Sequence, residues 1–401
     1  MKRPHVALFT HFGNGHIYSA LGLCAELVKR GYRVTYPINA RFRDQVSRAK
    51  AEPVLIRDYS PPAARGVRKA PFDLPPLDSR WWQIIAPDIF LALIDLASWT
   101  LTELGSYYSE DPPDLILYDR FHFAARILAH RLQLPAVHLY SGFAHYRNFY
   151  IRENGVCVNP EPLLDVGKMF AQFLSEHGIQ DENVLWHTES LNIYFIPKDL
   201  QYHPEYFDER FCFVGPCLDR PFQATWTNNS NGKPIILASN TFAMADAGYF
   251  KTLIDALANS EYHVILSVCG PEIPDDALGV LPPNFEINRK ASHLEILPHA
   301  ALAISQGGTG NTLEPLYYGV PVVAVPFTPF HEEVAYRIAE LGLGLYLPGN
   351  ELTVASIRKK ISSGLASRSI AKAVRDMRQK VACAGGAGRA ADRIDEFIHR
   401  T

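Results

Sequence analysis

The sequence predicts an α/β protein made of two consecutive parallel-sheet domains, and three observations lead there. Length is the first: 401 residues exceed what a single hydrophobic core usually serves, so two halves of about 200 residues each are expected. The second is a strand–helix–strand rhythm that runs through the first half and restarts in the second. The third is the polar, turn-rich stretch Leu218 to Lys233, where Pro221, Asn228, Asn229, Ser230, Asn231 and Gly232 cluster. It reads as a linker at 218–233, between a domain at 1–217 and another at 234–384.

Taken in order, His5 to Thr10 is an apolar strand, Ser19 to Lys29 an amphipathic helix stopped by Gly31, and Arg33 to Pro37 a second strand. That is a βαβ unit. The pattern recurs with Asp114 to Asp119, the helix Phe123 to Leu132 and Pro135 to Tyr140. The second half repeats it with Pro234 to Ala238, helix Gly248 to Asn259, His263 to Val268, Phe285 to Ile287, Ala301 to Ser305 and Val320 to Val325. Such alternation implies parallel sheets covered by helices, and so two Rossmann-like domains. The tail from Ser367 to Arg400 is helical in pattern, broken only at Ala384 to Gly388.

Composition narrows the function classes. Lys plus Arg number 39 against 42 for Asp plus Glu, a net charge of −3, which gives no general basis for binding nucleic acid or an anionic membrane. MKRPHVALFT runs straight into a strand without a signal peptide's long apolar core, so a cytoplasmic location is expected. Pro87, Asp88 and Asp95 interrupt the most apolar window, Trp81 to Leu104; this disfavours an integral membrane segment and favours a buried helix or a pocket wall. The six cysteines at 24, 157, 212, 217, 269 and 383 form no CxxC pair. They read as reduced thiols, and no metal site is expected.

The most informative stretch is Ser305 to Pro326, SQGGTGNTLEPLYYGVPVVAVP. A strand ends at Ser305, and Gly307, Gly308 and Gly310 let the backbone turn tightly enough to aim N–H groups at an anion. Thr312 to Tyr318 reads as the helix whose positive end faces that anion, and Gly319 stops it. Glu314, about one turn inside, is placed to accept hydrogen bonds from ribose hydroxyls. A tight turn without a ligand is the plain alternative.

His16 lies in the first βα loop, HFGNGHIYS, at the carboxyl edge of a parallel sheet where ligands bind. An imidazole there can take a proton near neutral pH. Asp119 closes the strand Leu115 to Tyr118 at the same edge, where it could fix the imidazole tautomer and balance its charge. The structural alternatives are a loop histidine satisfied by backbone carbonyls and an N-cap aspartate; His11 is a rival base. Gly13 and Gly15 open a GxGxxG-like spacing, but Tyr18 fills the third position and no acidic residue ends the strand at Tyr36 to Ile38. An NAD enzyme is therefore disfavoured.

With these residues, the chain resembles the family 1 glycosyltransferases, the group that includes bacterial macrolide and flavonoid glucosyltransferases. The similarity spans nearly the whole chain: the GNGH loop, DLILYD at Asp114 to Asp119, FIPKDLQ at Phe195 to Gln201, RFCFVGP at Arg210 to Pro216, the glycine turn, and AGGAGRAADRIDEFI near the C-terminus. The resemblance implies two Rossmann-like domains facing across a cleft, the GT-B arrangement, with the last helix, about 385–401, packed back on the first domain. It implies an inverting, metal-independent transfer with His16 and Asp119 catalytic. No cofactor is implied beyond a UDP- or dTDP-sugar co-substrate.

The implied donor site comprises Gln306, Gly307, Gly308, Gly310, Asn311, Thr312 and Glu314, with Ser239, Asn240, Thr241, Ser292, His293, Phe330 and His331. Several of these depart from the family. Gln306 stands for a histidine, Ser292 and His293 for proline and glutamine, Phe330 and His331 for an acidic residue and glutamine that hold sugar hydroxyls, and Ser239 to Thr241 lack a glycine. The implied acceptor pocket includes Trp82, Phe90, Tyr140, Phe143 and Tyr146, for a small, largely apolar natural product. The expected partners are thus a nucleotide sugar and a small-molecule acceptor, with a homodimer left open. A repurposed protein that binds a nucleotide without transfer, or another sugar-nucleotide reaction such as epimerisation or hydrolysis, is the alternative.

Overall fold

The computed structural model of the chain describes residues 3–11, 13–57, 79–120, 122–145, 160–181, 184, 187–218, 224–240, 247–268, 278–289, 291–326 and 328–400. The side chains of 14, 79–90, 160–166, 240, 247, 329 and 330 lie outside that description. The first half holds strands β1 (His5–Phe9), β2 (Arg33–Ile38), β3 (Glu52–Leu55), β4 (Leu115–Asp119), β5 (Ala136–Tyr140), β6 (Asn192–Tyr194) and β7 (Phe211–Phe213). Around them lie α1 (Asn14–Lys29), α2 (Arg43–Arg48), α3 (Ser79–Glu110), α4 (Phe123–Leu132) and α5 (Pro160–Glu176). The second half holds β8 (Ile235–Asn240), β9 (His263–Val268), β10 (Phe285–Asn288), β11 (Ala300–Ser305), β12 (Val322–Ala324) and β13 (Gly344–Tyr346). Its helices are α6 (Ala247–Leu257), α7 (His293–Ile296), α8 (Thr309–Tyr318), α9 (Pro329–Glu340), α10 (Val354–Ala366), α11 (Arg368–Cys383) and α12 (Gly386–Ile398).

The strands form a seven-stranded sheet in the order β3-β2-β1-β4-β5-β6-β7 and a six-stranded sheet in the order β10-β9-β8-β11-β12-β13. Every pairing is parallel. Helices on both faces bury the central strands completely, so β1, β4 and β9 show no apolar/polar alternation. Each sheet also has a point where the chain reverses its direction of growth, between β1 and β4 in one and between β8 and β11 in the other. Ligand crevices form beyond the carboxyl ends of strands at such points. The register there sets Phe9 opposite Tyr118 and Ser305 opposite Ser239.

Among the described residues, the halves are joined at several places. A shared apolar core packs Tyr140, Phe143, Tyr194, Tyr202 and Phe213 from the first half against Leu313, Leu316, Val334, Val374 and Met377 from the second. The last helix, α12, returns to α1: Ala387, Ala390, Ala391 and Ile394 enter the first core. Small alanines allow that close approach, and Arg30 fixes it with bonds of 2.7 Å to Asp392 and 2.6 Å to Asp395. Beside this crossing, the Gly386 N–H donates to the Val214 carbonyl at 2.7 Å.

The window Trp81 to Leu104 lies inside the single helix α3, whose Leu93, Ala97, Leu101, Leu104 and Tyr108 pack into the sheet's second face. No helix among the described residues is long and apolar enough to cross a membrane. Strands β3, β6, β7 and β13 have only three or four residues each, too short for a periodic signal. The polar segment 224–232 is docked: the Trp226 indole N–H donates to Glu286 at 2.9 Å, and the Thr225 and Trp226 N–H groups reach Glu295.

Candidate active site

The first β-to-α connection is shorter than the sequence suggests. Gly13 is the extended N-cap of α1, with φ −75°, and its carbonyl accepts from the N–H groups of His16 and Ile17. The helix therefore begins at Asn14, and His16 stands in its first turn instead of a loop. Neither Gly13 nor Gly15 takes a positive φ, so nothing delays the helix. The ring of His16 points to the end of β4, where its Nδ1 lies 2.5 Å from Oδ2 of Asp119, across 103 residues of sequence.

A carboxylate only accepts, so Nδ1 carries a proton, and in the neutral ring Nε2 keeps its lone pair. The Asp119 side chain is 4% exposed and that of His16 27%; the pair is anchored inside and accessible at its tip. Burial alone would lower the His16 pKa, but the charge and hydrogen bond of Asp119 outweigh it and raise the value above the usual imidazole range. The neighbouring imidazoles behave oppositely. Burial drives His11 down to about 4 and His122 likewise to about 4. His11 is further occupied at Nδ1 by the Gly13 N–H, which weakens it as a rival base. The helix cap falls to His122, whose ring accepts from the Ala125 N–H, so Asp119 is not the N-cap of α4.

At the second switch point, β11 delivers Ser305 and Gln306, both buried, into a turn where Gly307 has φ +81°. A Cβ on Gly307 would sit 2.6 Å from the His331 carbonyl oxygen, so glycine is required there by conformation and by space. A Cβ on Gly308 would lie 3.3 Å from the Gln306 amide nitrogen, which places that amide over the turn. One turn N–H, that of Gly307, is satisfied internally by the Ser305 hydroxyl at 3.1 Å. Helix α8 then starts at Thr309, earlier than the sequence reading, with Gly308 as an extended N-cap that lends no side chain. The first N–H groups of a helix have no intrahelical partner and suit an anion, and nothing lies within 4 Å of a Cβ on Gly310. Asn311 and Thr312 follow in the first turn of α8, Thr312 fully buried.

Glu314, 7% exposed, lies inside α8 with Oε2 3.6 Å from Nδ1 of His293. Nε2 of His293 is 2.7 Å from the Ser267 hydroxyl. Ser292, by contrast, is spent on structure: it caps α7 in a reciprocal capping box with Glu295. Ser239 is buried at the end of β8, while the side chain of Asn240 and all of Thr241 lie outside the described residues. At the start of α9, Thr328 caps the His331 N–H, and burial pushes the His331 imidazole down to about 4. The Phe330 side chain lies outside the described residues.

The acceptor-pocket set divides. Phe143 is 1% exposed and Tyr140 8%, and both belong to the core shared by the halves; the ring of Phe143 packs against that of Tyr202, with centroids 5.1 Å apart. The side chains of Trp82 and Phe90, and Tyr146 altogether, lie outside the described residues. Sequence reasoning missed Ser19 and Ser141. With Thr309, Gly310 and Glu314 they line a small cavity of about 20 Å³ where α1 meets α8. The position of Ser141 just past the end of β5 was the available signal.

Residues 251–393 match the family model described as erythromycin biosynthesis protein CIII-like, C-terminal domain. The chain is 35% identical to the NDP-glycosyltransferase YjiC of Bacillus licheniformis, over 99% of this chain and 98% of that protein. It is 29% identical to the demethyllactenocin mycarosyltransferase of Streptomyces fradiae, over 99% of this chain and 87% of the relative. Among solved structures, the calicheamicin glycosyltransferase CalG4 superposes over 100% of both chains with a TM-score of 0.78 and 31% identity. The two parallel sheets, their paired switch points and this full-length likeness place the chain in the GT-B glycosyltransferases of the YjiC and macrolide-antibiotic type.

Proposed function

We propose that the protein is an inverting glycosyltransferase that moves a sugar from a uridine or thymidine diphosphate sugar to a hydroxyl of a small, largely apolar natural product. The observation that carries this reading is the His16–Asp119 pair, at 2.5 Å, on the helix that packs against α8 and its glycine turn. The donor class is further supported by the name of the Bacillus relative, an NDP-glycosyltransferase, and the acceptor class by the mycarosyltransferase.

In this reading Nε2 of His16 takes the acceptor's hydroxyl proton as its oxygen bonds to the anomeric carbon from the face opposite the diphosphate. The carbon–oxygen bond to the phosphate breaks, and its electron pair leaves with the diphosphate. Asp119 stabilises the resulting imidazolium. The N–H groups at the start of α8 and the helix's positive end take up the charge on the leaving group, with Asn311 and Thr312 alongside, so the reaction needs neither a metal nor a cofactor. Glu314 receives the ribose. The replacements at Phe330 and His331 bear on which sugar is held: a neutral imidazole offers one donor and one acceptor.

The departures in the donor half favour a second reading, nucleotide binding without transfer. One experiment separates the two: a thermal-shift screen of nucleoside diphosphates and nucleotide sugars, followed by mass spectrometry of acceptor mixtures with the best donor. Transfer predicts a glycosylated product that His16→Ala abolishes while the nucleotide shift persists. Absence of product with every donor that binds would sink it.

A further inference from the structure

We infer that His145 and Glu333 are positioning residues that hold the start of α9 in register with the His16–Asp119 pair. The inference rests on the glycosyl-transfer reading and assigns roles to two residues that the sequence did not single out. Nε2 of His145 lies 2.8 Å from Oε1 of Glu333, bridging the two halves, with side chains 18% and 5% exposed. The other ring nitrogen, Nδ1, is 3.3 Å from a guanidinium nitrogen of Arg120, the residue after Asp119. A guanidinium only donates, so Nδ1 accepts, and Nε2 carries the proton given to Glu333. The tautomer is thereby fixed from one side and read from the other.

Both ends are braced. The Gln201 side chain binds the N–H and the carbonyl of Ala144, each at 2.9 Å, and so holds the backbone that leads into His145. On α9, the Tyr202 hydroxyl donates to the Glu333 carbonyl, and Arg337, one turn further on, donates to the carbonyls of Leu200 and Gln201. Glu333 lies two residues beyond His331, whose carbonyl abuts Gly307 of the donor turn. The contacts Arg120–His145–Glu333 therefore tie the residue that follows Asp119 to the start of α9, two residues from His331. Their physical consequence is alignment: transfer requires the base and the anomeric carbon to be set within a fraction of an ångström, and a displacement of about 1 Å can cost 10²-fold in rate.

The test compares wild type with Glu333→Ala, Glu333→Gln, His145→Ala and His145→Gln in the full chain. Calorimetry gives the affinities for UDP and UDP-glucose, and for dTDP and dTDP-glucose. Melting curves confirm folding, and turnover is followed with the donor and acceptor found by the screen. We expect Glu333→Ala to lower kcat by about 10- to 100-fold and to cut the affinity that the sugar adds beyond the bare diphosphate by roughly 3- to 30-fold. Affinity for the bare diphosphate should stay within about twofold, since none of these residues belongs to the glycine turn. Each Gln variant, still able to bond its partner, should recover most of the loss, and the double Ala variant should be no worse than the worse single one. Folded Ala variants with wild-type turnover and wild-type sugar increment would overturn the inference; so would equal losses for diphosphate and nucleotide sugar, or Gln variants no better than Ala. If the wild-type chain binds diphosphates but gains nothing from any sugar and forms no product, the transfer reading itself fails, an outcome distinct from these.

Discussion

In the proposed reading, the chemistry at the carboxyl edge of the first sheet rests on two side chains, His16 and Asp119, whereas at the same edge of the second sheet it rests on backbone, the turn from Gln306 to Gly310. The folds are alike: each site sits where its sheet changes direction, and each is followed by a helix that begins immediately with a glycine N-cap. What differs is the task. Proton transfer needs an atom with a tuned pKa, which only side chains supply. Diphosphate binding needs several N–H groups converging at fixed spacing, which a helix start and a glycine turn supply without side chains. The first site should therefore be sensitive to the identity of its residues and tolerant of small backbone shifts, and the second the reverse.

The largest expected effect breaks the first site. His16→Ala or Asp119→Asn should lower kcat by about 10²- to 10⁴-fold and leave nucleoside diphosphate binding intact, as measured by product formation beside calorimetry. Equal loss of binding would erase the distinction between the sites. Next is Gly307→Ala, which forces a left-handed φ on a side chain and drives its Cβ towards the His331 carbonyl. It should destabilise the chain by about 1–3 kcal/mol and weaken diphosphate binding about tenfold or more, with denaturant unfolding and calorimetry as readouts. A well-folded variant with unchanged affinity would show that the turn does not hold the diphosphate.

The pH dependence sharpens the comparison at lower amplitude. Because Asp119 raises the His16 pKa, and the base must be unprotonated, kcat/KM for the acceptor should climb with pH through a limb above the usual imidazole range. Stability linked to the same pair has the opposite sense. A pKa raised on folding stabilises fully below the unfolded value, and that contribution fades as pH rises through the folded one. The difference in melting temperature between wild type and His16→Ala should accordingly shrink from pH 5 towards alkaline pH. The smallest effect is expected from Gln306→His. Exchanging a neutral donor for one that can become charged should tighten diphosphate binding about three- to tenfold at mildly acidic pH, less at alkaline pH.

Much of this was legible in the chain because the signals were local. The glycine spacing from Gly307 to Gly310, the apolar runs of β4, β5 and β9, and the limits of α4 all sit within single stretches, and the structure follows them to within a residue or two. Short strands such as β6 and β7, at one end of the first sheet, were not, since three residues carry no period. Nor was the role of Phe143. An aromatic after a sheet edge reads equally as pocket or core, and only the folded core shared by the halves shows it buried. The cap made by Ser292, whose hydroxyl accepts from the Leu294 N–H, is visible only in the folded chain.

By itself, then, the sequence determined the two parallel sheets, the glycine turn and the residue types available at each strand end, because hydrophobic patterning and backbone permissiveness are properties of neighbouring residues. Which of His11, His16 and His122 meets Asp119, and which pair bridges the halves at His145 and Glu333, was decided only by tertiary structure. A tuned imidazole needs a partner at hydrogen-bond distance, and that partner lies 103 residues away for His16 and 188 for His145.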